Sequence, residues 1–286
     1  MDIKIVNLYE KDVNGSLNRR EFFKNLALLT GGTTAAYAML SQLETNSAKA
    51  QIVAKDDERL HTETILYPAK TGNMIAYWAR PKGQEELPCV IVIHENRGLN
   101  DHIRDVTRRM ALEGFLAIAP DALSLVGGTP EDQTEMRSRF GELNNEDTVG
   151  NFAAAVQYLK THPLSNGKVG CTGFCWGGSM ANQVAVNSPD LNAAVPYYGG
   201  QPASQDVPKI KASMLLHYAG EDTRINQGIS VFEEALKTAG VEYTIHMYEG
   251  AGHAFNNDTN PGRYNKEAAE LAWKRTIAFF KEKLKT

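Results

Sequence analysis

The chain has 286 residues, of which 42% are hydrophobic, and it carries a formal net charge of −4. This composition suits one large globular domain or a domain with an appendage, and the lack of a basic patch argues against a nucleic-acid partner. Three cysteines do not make a disulfide framework, and no Cys-x-x-Cys pair offers a zinc or redox site. Cys89 and Cys171 lie in apolar runs and are predicted to be buried as small hydrophobic residues, with a disulfide between them left open.

The first fifty residues have the layout of an export signal. The pair Arg19 and Arg20 precedes an uncharged stretch over residues 26–43, which glycines and hydroxyl residues keep only mildly hydrophobic. An A-x-A-like cleavage site follows at residues 48–50. Paired arginines before such a stretch are typical of a twin-arginine signal, although Asn18 stands where Ser or Thr is usual.

We therefore predict that residues 1–50 are a twin-arginine-type export signal, recognised by the twin-arginine export machinery. Residues 51–286 would then form the folded domain of a protein located in the bacterial periplasm. The alternative is an amphipathic N-terminal helix that stays on the protein. The sequence predicts no oligomeric state.

After the signal, the chain alternates short apolar runs with segments of helical spacing. Strands are predicted at residues 74–79, 89–93, 115–119, 169–174, 193–198, 214–218 and 243–248. Helices are predicted at residues 101–113, 147–162, 177–187, 229–239 and 264–284. Residues 122–145 are polar and rich in turn formers, which predicts a loop with one helix at most. This alternation predicts an α/β fold with a mostly parallel central sheet and helices on both faces.

Reactive side chains follow four of the predicted strands. The active site of such a sheet lies at the carboxyl ends of its strands. The side chains found there, in chain order, are His94 with Glu95, then Cys175, Asp222 and His253. The order of nucleophile, acid and histidine is that of the α/β-hydrolase triad.

Cys175 has the surroundings of a nucleophile on a strand-to-helix elbow. Such a residue sits on a strained turn, so its neighbours two positions away must be small, and here they are Gly173 and Gly177. Gly178 would let the following helix pack close to the sheet. The amino end of that helix favours a thiolate, which is already a good nucleophile. The alternative, a buried packing cysteine, leaves the flanking glycines without a reason.

The other strand ends supply the remaining roles of such a site. His253 is predicted to accept the thiol proton and later to activate water, and Asp222 to orient the imidazole. Glu221 is a rival for the acid role. The backbone N–H groups of Trp176 and Asn96 are predicted to form the oxyanion hole.

No metal or cofactor is predicted from these residues. His94 and Glu95 suggest a metal site, but "HENRG" is not the His-Glu-x-x-His pattern. His94 is therefore predicted to be a structural histidine behind the site. His217 and His246 lie within predicted strands and are also predicted to be structural.

With these motifs in place, the chain resembles the dienelactone hydrolases (carboxymethylenebutenolidases), a cysteine branch of the α/β-hydrolases. The segments that carry the resemblance are "VIHENRGLN", "GFLAIAPD", "NGKVGCTGFCWGG", "AVPYYGG", "GEDTRIN" and "YEGAGHAF". With its N-terminal signal, the chain is similar to an exported group within that family. The resemblance implies an α/β-hydrolase fold and a hydrolase that opens an ester or lactone through a Cys-His-Asp triad and a covalent thioester.

The resemblance also implies a role for Glu95. In enzymes of this type, a glutamate at this strand end keeps the resting thiol neutral, moves when substrate binds, and then helps to ionise the cysteine. A carboxylate close to a thiolate disfavours the charged form of the thiol, so the role is physically sound. The alternative for Glu95 is a structural carboxylate in a salt bridge.

Two arginines that bind the substrate carboxylate in this family are missing from the matching positions. Residues 122–128 contain no arginine, and the residues after the His-x-Phe segment are Asn256, Asn257 and Asp258. Arg97 and Arg224 are candidates to compensate, because arginine binds carboxylates through two hydrogen bonds, or they are structural ion-pair partners. A neutral or differently charged lactone or short ester is therefore expected in preference to dienelactone.

Two alternatives to an ester or lactone hydrolase are open at this point. One is a catalytically weak ligand-binding protein on the same scaffold. The presence of all three residues of the predicted triad argues against this alternative. The other is a thioesterase or peptidase of the same fold. The same triad would serve these reactions, and the loops around the pocket would determine which substrate is accepted. Residues 122–145 are the main candidate for a lid over that pocket.

Overall fold

The computed structural model describes residues 4, 5, 8, 19–36, 39, 52–83 and 86–285. The predicted cleavage site at residues 48–50 lies outside the described residues. Helix α1 (Arg19–Thr30) begins at the paired arginines, and its buried side chains Phe22 and Leu26 pack in a small cluster with other residues of the N-terminal segment. Among the helices that are described, none is both long and apolar enough to cross a membrane.

From residue 52 onward, the described chain holds eight strands and seven α-helices. The strands are β1 (Leu60–Pro68), β2 (Asn73–Pro81), β3 (Leu87–Ile93), β4 (Leu116–Pro120), β5 (Ser165–Phe174), β6 (Ala193–Tyr197), β7 (Ser213–Ala219) and β8 (Tyr243–Tyr248). The helices are α2 (Asp101–Leu112), α3 (Gln133–Gly141), α4 (Asn145–Lys160), α5 (Trp176–Asn187), α6 (Thr223–Asn226), α7 (Ile229–Ala239) and α8 (Lys266–Lys283). Short 3-10 turns lie at Ser124–Val126 and Ser204–Lys209.

The strands form one sheet in the order β1-β2-β4-β3-β5-β6-β7-β8. β1 and β2 pair antiparallel, β2 pairs antiparallel with β4, and every other neighbouring pair is parallel. This is the α/β-hydrolase architecture expected from the sequence. β1 was not predicted, because its exposed polar residues weaken the apolar pattern that marks the central strands.

Helix boundaries follow the capping residues more closely than the apolar pattern. α4 begins at residue 145 rather than 147, because the Asn144 side chain accepts a hydrogen bond from the backbone N–H of Asp147. α8 begins at residue 266 rather than 264, because Asn265 caps it in the same way. Residues 122–145 hold the single α-helix that their pattern allows, α3.

Two hydrophobic cores lie on opposite faces of the sheet. Alternate residues of β3 point to opposite faces, so Cys89 and Ile91 belong to one core and Val90 and Val92 to the other. Cys89 and Cys171 are fully buried and all three cysteines are free thiols. The prediction that these two cysteines are packing residues is confirmed.

The first residues after the predicted signal are tied to helix α2. The Asp105 carboxylate accepts hydrogen bonds from the backbone N–H groups of Ile52 (3.1 Å) and Val53 (2.8 Å). The Arg108 guanidinium donates to the Val53 carbonyl oxygen at 2.9 Å. Since Asp105 and Arg108 are both only 1% exposed, this clamp is part of the folded core.

Candidate active site

One cavity opens at the carboxyl ends of the parallel strands. It has a volume of about 390 Å³. The residues that line it are Glu95, Asn96, Arg97, Cys175, Asp222, Arg224, His253, Ala254, Asn257, Asn260 and Arg263. The structure thus brings together every predicted site residue except Trp176 around one space, although they come from four different strand ends.

Cys175 occupies a strained turn between β5 and α5. Its backbone has a φ of 57° and a ψ of −114°, which a residue with a side chain adopts only under constraint. The constraint comes from close packing on both sides. A Cβ atom on Gly173 would lie 2.0 Å from the Gly177 carbonyl oxygen, and one on Gly177 would lie 2.4 Å from the Ile93 carbonyl oxygen. The two glycines therefore allow the elbow to form.

Cys175, His253 and Asp222 form a continuous hydrogen-bonded row. The Nε2 atom of His253 lies 3.0 Å from the Cys175 sulfur, and its Nδ1 atom pairs with Oδ2 of Asp222. The other Asp222 oxygen accepts from the backbone N–H of Ile225 at 3.4 Å, which holds the carboxylate at the start of α6. Glu221, the rival acid, is exposed and has no such contact.

The charges in this row favour a protonated imidazole. Burial alone would lower the pKa of His253, but its hydrogen bonds to Asp222 and Cys175 outweigh that effect and raise the pKa to about 9. Burial would likewise raise the pKa of Asp222, yet the contact with His253 leaves it below its usual value. The row is therefore arranged to hold a proton on His253 next to the Cys175 sulfur.

Two residues beside the row also have left-handed backbone conformations. Tyr198 has a φ of 37° and Ala254 a φ of 67°. The Tyr198 ring meets the His253 ring edge to face, with centroids 5.1 Å apart, and its backbone N–H donates to the His217 carbonyl oxygen at 2.7 Å. Such conformations cost on the order of 1–3 kcal/mol each and persist where surrounding contacts impose them. Here they fix the imidazole against the end of β6.

The predicted oxyanion donors are the residues that follow Glu95 and Cys175 in the chain. Asn96 lines the cavity, and Trp176 is the first residue of α5, where the backbone N–H has no partner within the helix. In the part of the chain that the structure describes, neither N–H donates to a protein acceptor. Both remain available to a substrate oxygen.

The Trp176 side chain points away from the cavity and into an aromatic cluster. Its ring stacks on that of His94 at 5.4 Å and meets Phe140 of α3 edge to face at 5.3 Å. Residues 122–145, the candidate lid, therefore contact the site from behind, and none of them is among the residues that line the cavity.

His94 is a neutral structural residue, as predicted. It is fully buried, and burial lowers its pKa. Its Nδ1 atom lies 2.6 Å from the Glu95 carbonyl oxygen and its Nε2 accepts from the backbone N–H of Ala122 at 3.1 Å, so the proton sits on Nδ1. His94 thus joins the ends of β3 and β4. Across the described residues, no group of three His, Cys, Asp or Glu side chains is placed to hold a metal ion.

Glu95 has a partner that the sequence did not reveal. Its Oε2 atom accepts a hydrogen bond from Nδ2 of Asn257 at 2.7 Å, and both side chains are buried. The loop after His253 therefore reaches back to the end of β3. In the sequence, Asn257 stands out only because it follows the His-x-Phe segment closely. An asparagine at that position does not by itself indicate a contact with Glu95.

Three arginines are among the residues that line the cavity. Arg97 and Arg224 line it, as expected for residues next to Glu95 and Asp222, and Arg263 lines it from the loop before α8. Sequence reasoning missed Arg263, which lies ten residues after His253 and carries no motif. The cavity is therefore lined by three arginines and by two carboxylates, those of Glu95 and Asp222.

Comparisons with known proteins agree with this architecture. The profile of the dienelactone hydrolase family matches residues 74–284. An Escherichia coli (strain K12) protein named "Putative carboxymethylenebutenolidase" is 35% identical over 247 residues, covering 81% of this chain and 90% of its own. A Klebsiella pneumoniae crystal structure, named "Putative Dienelactone Hydrolase", is 30% identical with a TM-score of 0.71 and covers 78% of this chain and 99% of its own. The dienelactone hydrolase of Anabaena variabilis, 18% identical with a TM-score of 0.63, covers 79% of this chain and all of its own and shares the fold.

Proposed function

The chain belongs to the dienelactone hydrolase family, and from this premise we propose that it is a thiol-dependent hydrolase of carboxylic esters or lactones. The observation that carries the proposal is the row of Cys175, His253 and Asp222 at the mouth of one cavity. A thiol paired with a histidine, which a carboxylate orients in turn, is the arrangement of an activated nucleophile. We propose Cys175 as that nucleophile, His253 as the base and Asp222 as the residue that orients it.

The first half of the reaction forms a thioester. His253 takes the proton of Cys175, and the sulfur attacks the carbonyl carbon of the substrate. The carbonyl oxygen becomes negative and is stabilised by the backbone N–H groups of Trp176 and Asn96. The bond between carbon and the leaving oxygen then breaks, and His253 returns its proton to that oxygen. In a lactone the leaving oxygen stays attached to the acyl group, so this step opens the ring.

The second half of the reaction releases the acid. Water enters the place of the leaving oxygen, His253 accepts one of its protons, and the hydroxide attacks the thioester carbon. The carbon–sulfur bond breaks, and the proton returns from His253 to the sulfur. Asp222 stabilises the positive imidazole in both halves, because its carboxylate faces Nδ1 throughout.

The charges around the cavity support a negatively charged substrate. Arg97, Arg224 and Arg263 line the same cavity as Cys175. Guanidinium groups bind carboxylates through paired hydrogen bonds. We therefore propose that the preferred ester or lactone carries an acid group, in place of the neutral substrate that the missing family arginines favoured.

The test compares wild type with Cys175→Ala on dienelactone and on an uncharged short-chain aryl ester. Wild type should hydrolyse at least one of them and prefer dienelactone, and Cys175→Ala should lose turnover while keeping its fold. Cys171→Ala is the matched control, because it removes a buried thiol from the same strand. Wild-type turnover by Cys175→Ala would refute the nucleophile, and a preference for the uncharged ester would refute the acid-bearing substrate. Ligand binding without any turnover would favour a binding protein.

We also propose that residues 1–50 direct export through the twin-arginine pathway. Helix α1 begins at the paired arginines, and its buried side chains pack within the N-terminal segment. Replacing both arginines by lysine should retain the protein in the cytoplasmic fraction of a bacterial host, whereas replacing Lys24 by arginine should not. Equal periplasmic recovery of the two variants would refute this proposal.

A further inference from the structure

The loop between β8 and α8 presents a buried amide to the cavity. Asn257 is 6% exposed and donates from Nδ2 to Oε2 of Glu95 at 2.7 Å. Glu95 is also 6% exposed. A hydrogen bond between a buried amide and a buried carboxylate is short and strong, because the acceptor is charged and water is excluded.

The orientation of the Asn257 amide is fixed by its other end. Its Oδ1 atom accepts hydrogen bonds from the backbone N–H of Thr259 at 3.1 Å and from the Thr259 hydroxyl at 2.6 Å. Both are donors, so the oxygen faces Thr259 and the NH₂ group faces Glu95. The contact with Glu95 is therefore set by the loop itself.

The next residue anchors the same loop to helix α2. Asp258 lies 3.1 Å from Nδ1 of His102 and 2.7 Å from the guanidinium of Arg109. Burial would raise the pKa of Asp258, but its contacts with His102 and Arg109 bring it below its usual value, so the carboxylate stays charged beside the Arg109 guanidinium. The backbone N–H of Asn257 itself donates to the Ala254 carbonyl oxygen at 3.0 Å, so the loop is held on both sides of this residue.

Cys175 and Glu95 line the same cavity, and no hydrogen bond joins the sulfur to the carboxylate in the described part of the chain. Among the described residues, the sulfur pairs with His253 and the carboxylate with Asn257. Their closeness shows in Tyr198, since burial together with the charges of Glu95 and Cys175 raises the pKa of its hydroxyl far above the ordinary value. A carboxylate that was free to approach the sulfur would disfavour the thiolate and compete with His253 for the thiol proton.

We propose that Asn257 is a positioning residue that holds the Glu95 carboxylate away from the Cys175 sulfur, so that the Cys175–His253 pair is assembled before substrate binds. This inference rests on the proposed function, because it concerns the same thiol. It differs from the switch implied by family resemblance, in which the glutamate moves only when substrate arrives. Here the partner of the displaced glutamate belongs to the protein and is already in place.

The test is the pH dependence of Cys175 alkylation by iodoacetamide without substrate, followed by mass spectrometry. In Asn257→Ala, Glu95 loses its donor and moves toward the sulfur, so the midpoint of the profile should rise by about one pH unit and the rate below the midpoint should fall about tenfold. In the double variant Glu95→Gln/Asn257→Ala the shift should vanish, because no carboxylate remains. Asn256→Ala is the neighbouring control and should keep the wild-type profile.

Glu95→Gln alone gives a second test that does not depend on how well Asn257→Ala folds. If Glu95 is held away in the resting enzyme, removal of its charge should move the midpoint much less than one pH unit. If the carboxylate rests beside the sulfur, the midpoint should fall by about one unit. That fall would overturn the proposal, as would a wild-type profile in folded Asn257→Ala.

The two proposals fail in different ways. A Cys175→Ala variant that still hydrolyses substrate refutes the function but leaves the alkylation profiles to be compared. Unchanged alkylation profiles, with turnover that depends on Cys175, refute the positioning role alone.

Discussion

Cys171 and Cys175 lie four residues apart, yet the fold gives the two thiols opposite surroundings. Cys171 is in the interior of β5, fully buried, and burial raises the pKa of its thiol far above the ordinary value. Cys175 stands at the end of the same strand, half-buried, with His253 at 3.0 Å. The residue type is the same, so its reactivity depends on position in the sheet.

Two histidines repeat the contrast. His217, in the interior of β7, is fully buried between the hydroxyls of Tyr248 (2.9 Å) and Thr276 (3.1 Å), and burial lowers its pKa well below the ordinary value. In His253, the bonds to Asp222 and Cys175 overcome burial and raise the pKa to about 9. A carboxylate partner at the end of the sheet therefore distinguishes the raised pKa of His253 from the lowered pKa of His217.

The contrast between the cysteines is tested most directly by measuring the reactivity of each thiol. Iodoacetamide should alkylate Cys175 in the native protein more than about ten-thousandfold faster than Cys89 or Cys171, because the thiolate reacts and burial suppresses it. Burial raises the pKa of Cys89 to about 12. Peptide mass spectrometry measures the three rates. Unfolding in guanidinium should make them similar, whereas native labelling of Cys171 alongside Cys175 would contradict the contrast.

Replacing His253 should mainly lower activity, whereas replacing His217 should mainly lower stability. His253→Gln should lower kcat/KM on the order of a thousandfold, because it removes the proposed base. His217→Gln should keep kcat/KM within a few-fold but lower the free energy of unfolding by about 1–3 kcal/mol, because buried hydroxyls lose their partner. Steady-state kinetics and urea unfolding measure both. Equal loss of activity in the two variants would contradict a purely structural His217.

A substitution at Gly177 should distort the turn that carries Cys175 without replacing any side chain of the proposed triad. A Cβ atom at Gly177 would meet the carbonyl oxygens of Ile93 and His94, each 2.4 Å away, whereas one at Gly252 would meet nothing within 4 Å. Gly177→Ala should therefore lower the free energy of unfolding by about 3 kcal/mol and disturb the oxyanion donors. Gly252→Ala should change stability far less. Urea unfolding measures the stability of both variants. Equal stability would show that the backbone around Gly177 shifts to accommodate a Cβ atom at little cost.

A smaller effect should appear in the pH dependence of stability. The folded pKa of His253 is about 9 against an ordinary 6.5, so its contribution is fully present below pH 6.5 and is lost as the pH rises through 9. The contribution is at most roughly 3 kcal/mol. The stability difference between wild type and His253→Gln, measured by urea unfolding from pH 6 to 10, should shrink toward alkaline pH. A constant difference would contradict the raised pKa.

Much of this site could be predicted from the sequence because its parts are local. Cys175 between Gly173 and Gly177 predicts an elbow from steric demands alone, and the apolar run before it predicts the buried strand. His253 and Asp222 follow strands, and the carboxyl ends of parallel strands share one edge. Local pattern and sheet topology together therefore predicted which side chains would meet.

The rest depends on contacts between distant residues. The pairing of Asn257 with Glu95 joins positions 162 residues apart, and neither residue carries a pattern that announces it. Arg263 reaches the cavity only because the loop before α8 folds back over the site. β1 was missed because an edge strand with exposed polar residues lacks the apolar run of a central one.

The clamp between Asp105 and the residues at 52 and 53 ties the start of the folded domain to helix α2. A protein trimmed to begin at residue 54 would remove both backbone donors and the carbonyl that Arg108 binds. Asp105 also pairs with Arg109, which in turn binds Asp258, the residue next to Asn257. Trimming the amino terminus therefore reaches the loop that carries Asn257 through three side chains. A purification tag is better placed at the carboxyl end than fused directly to Ile52.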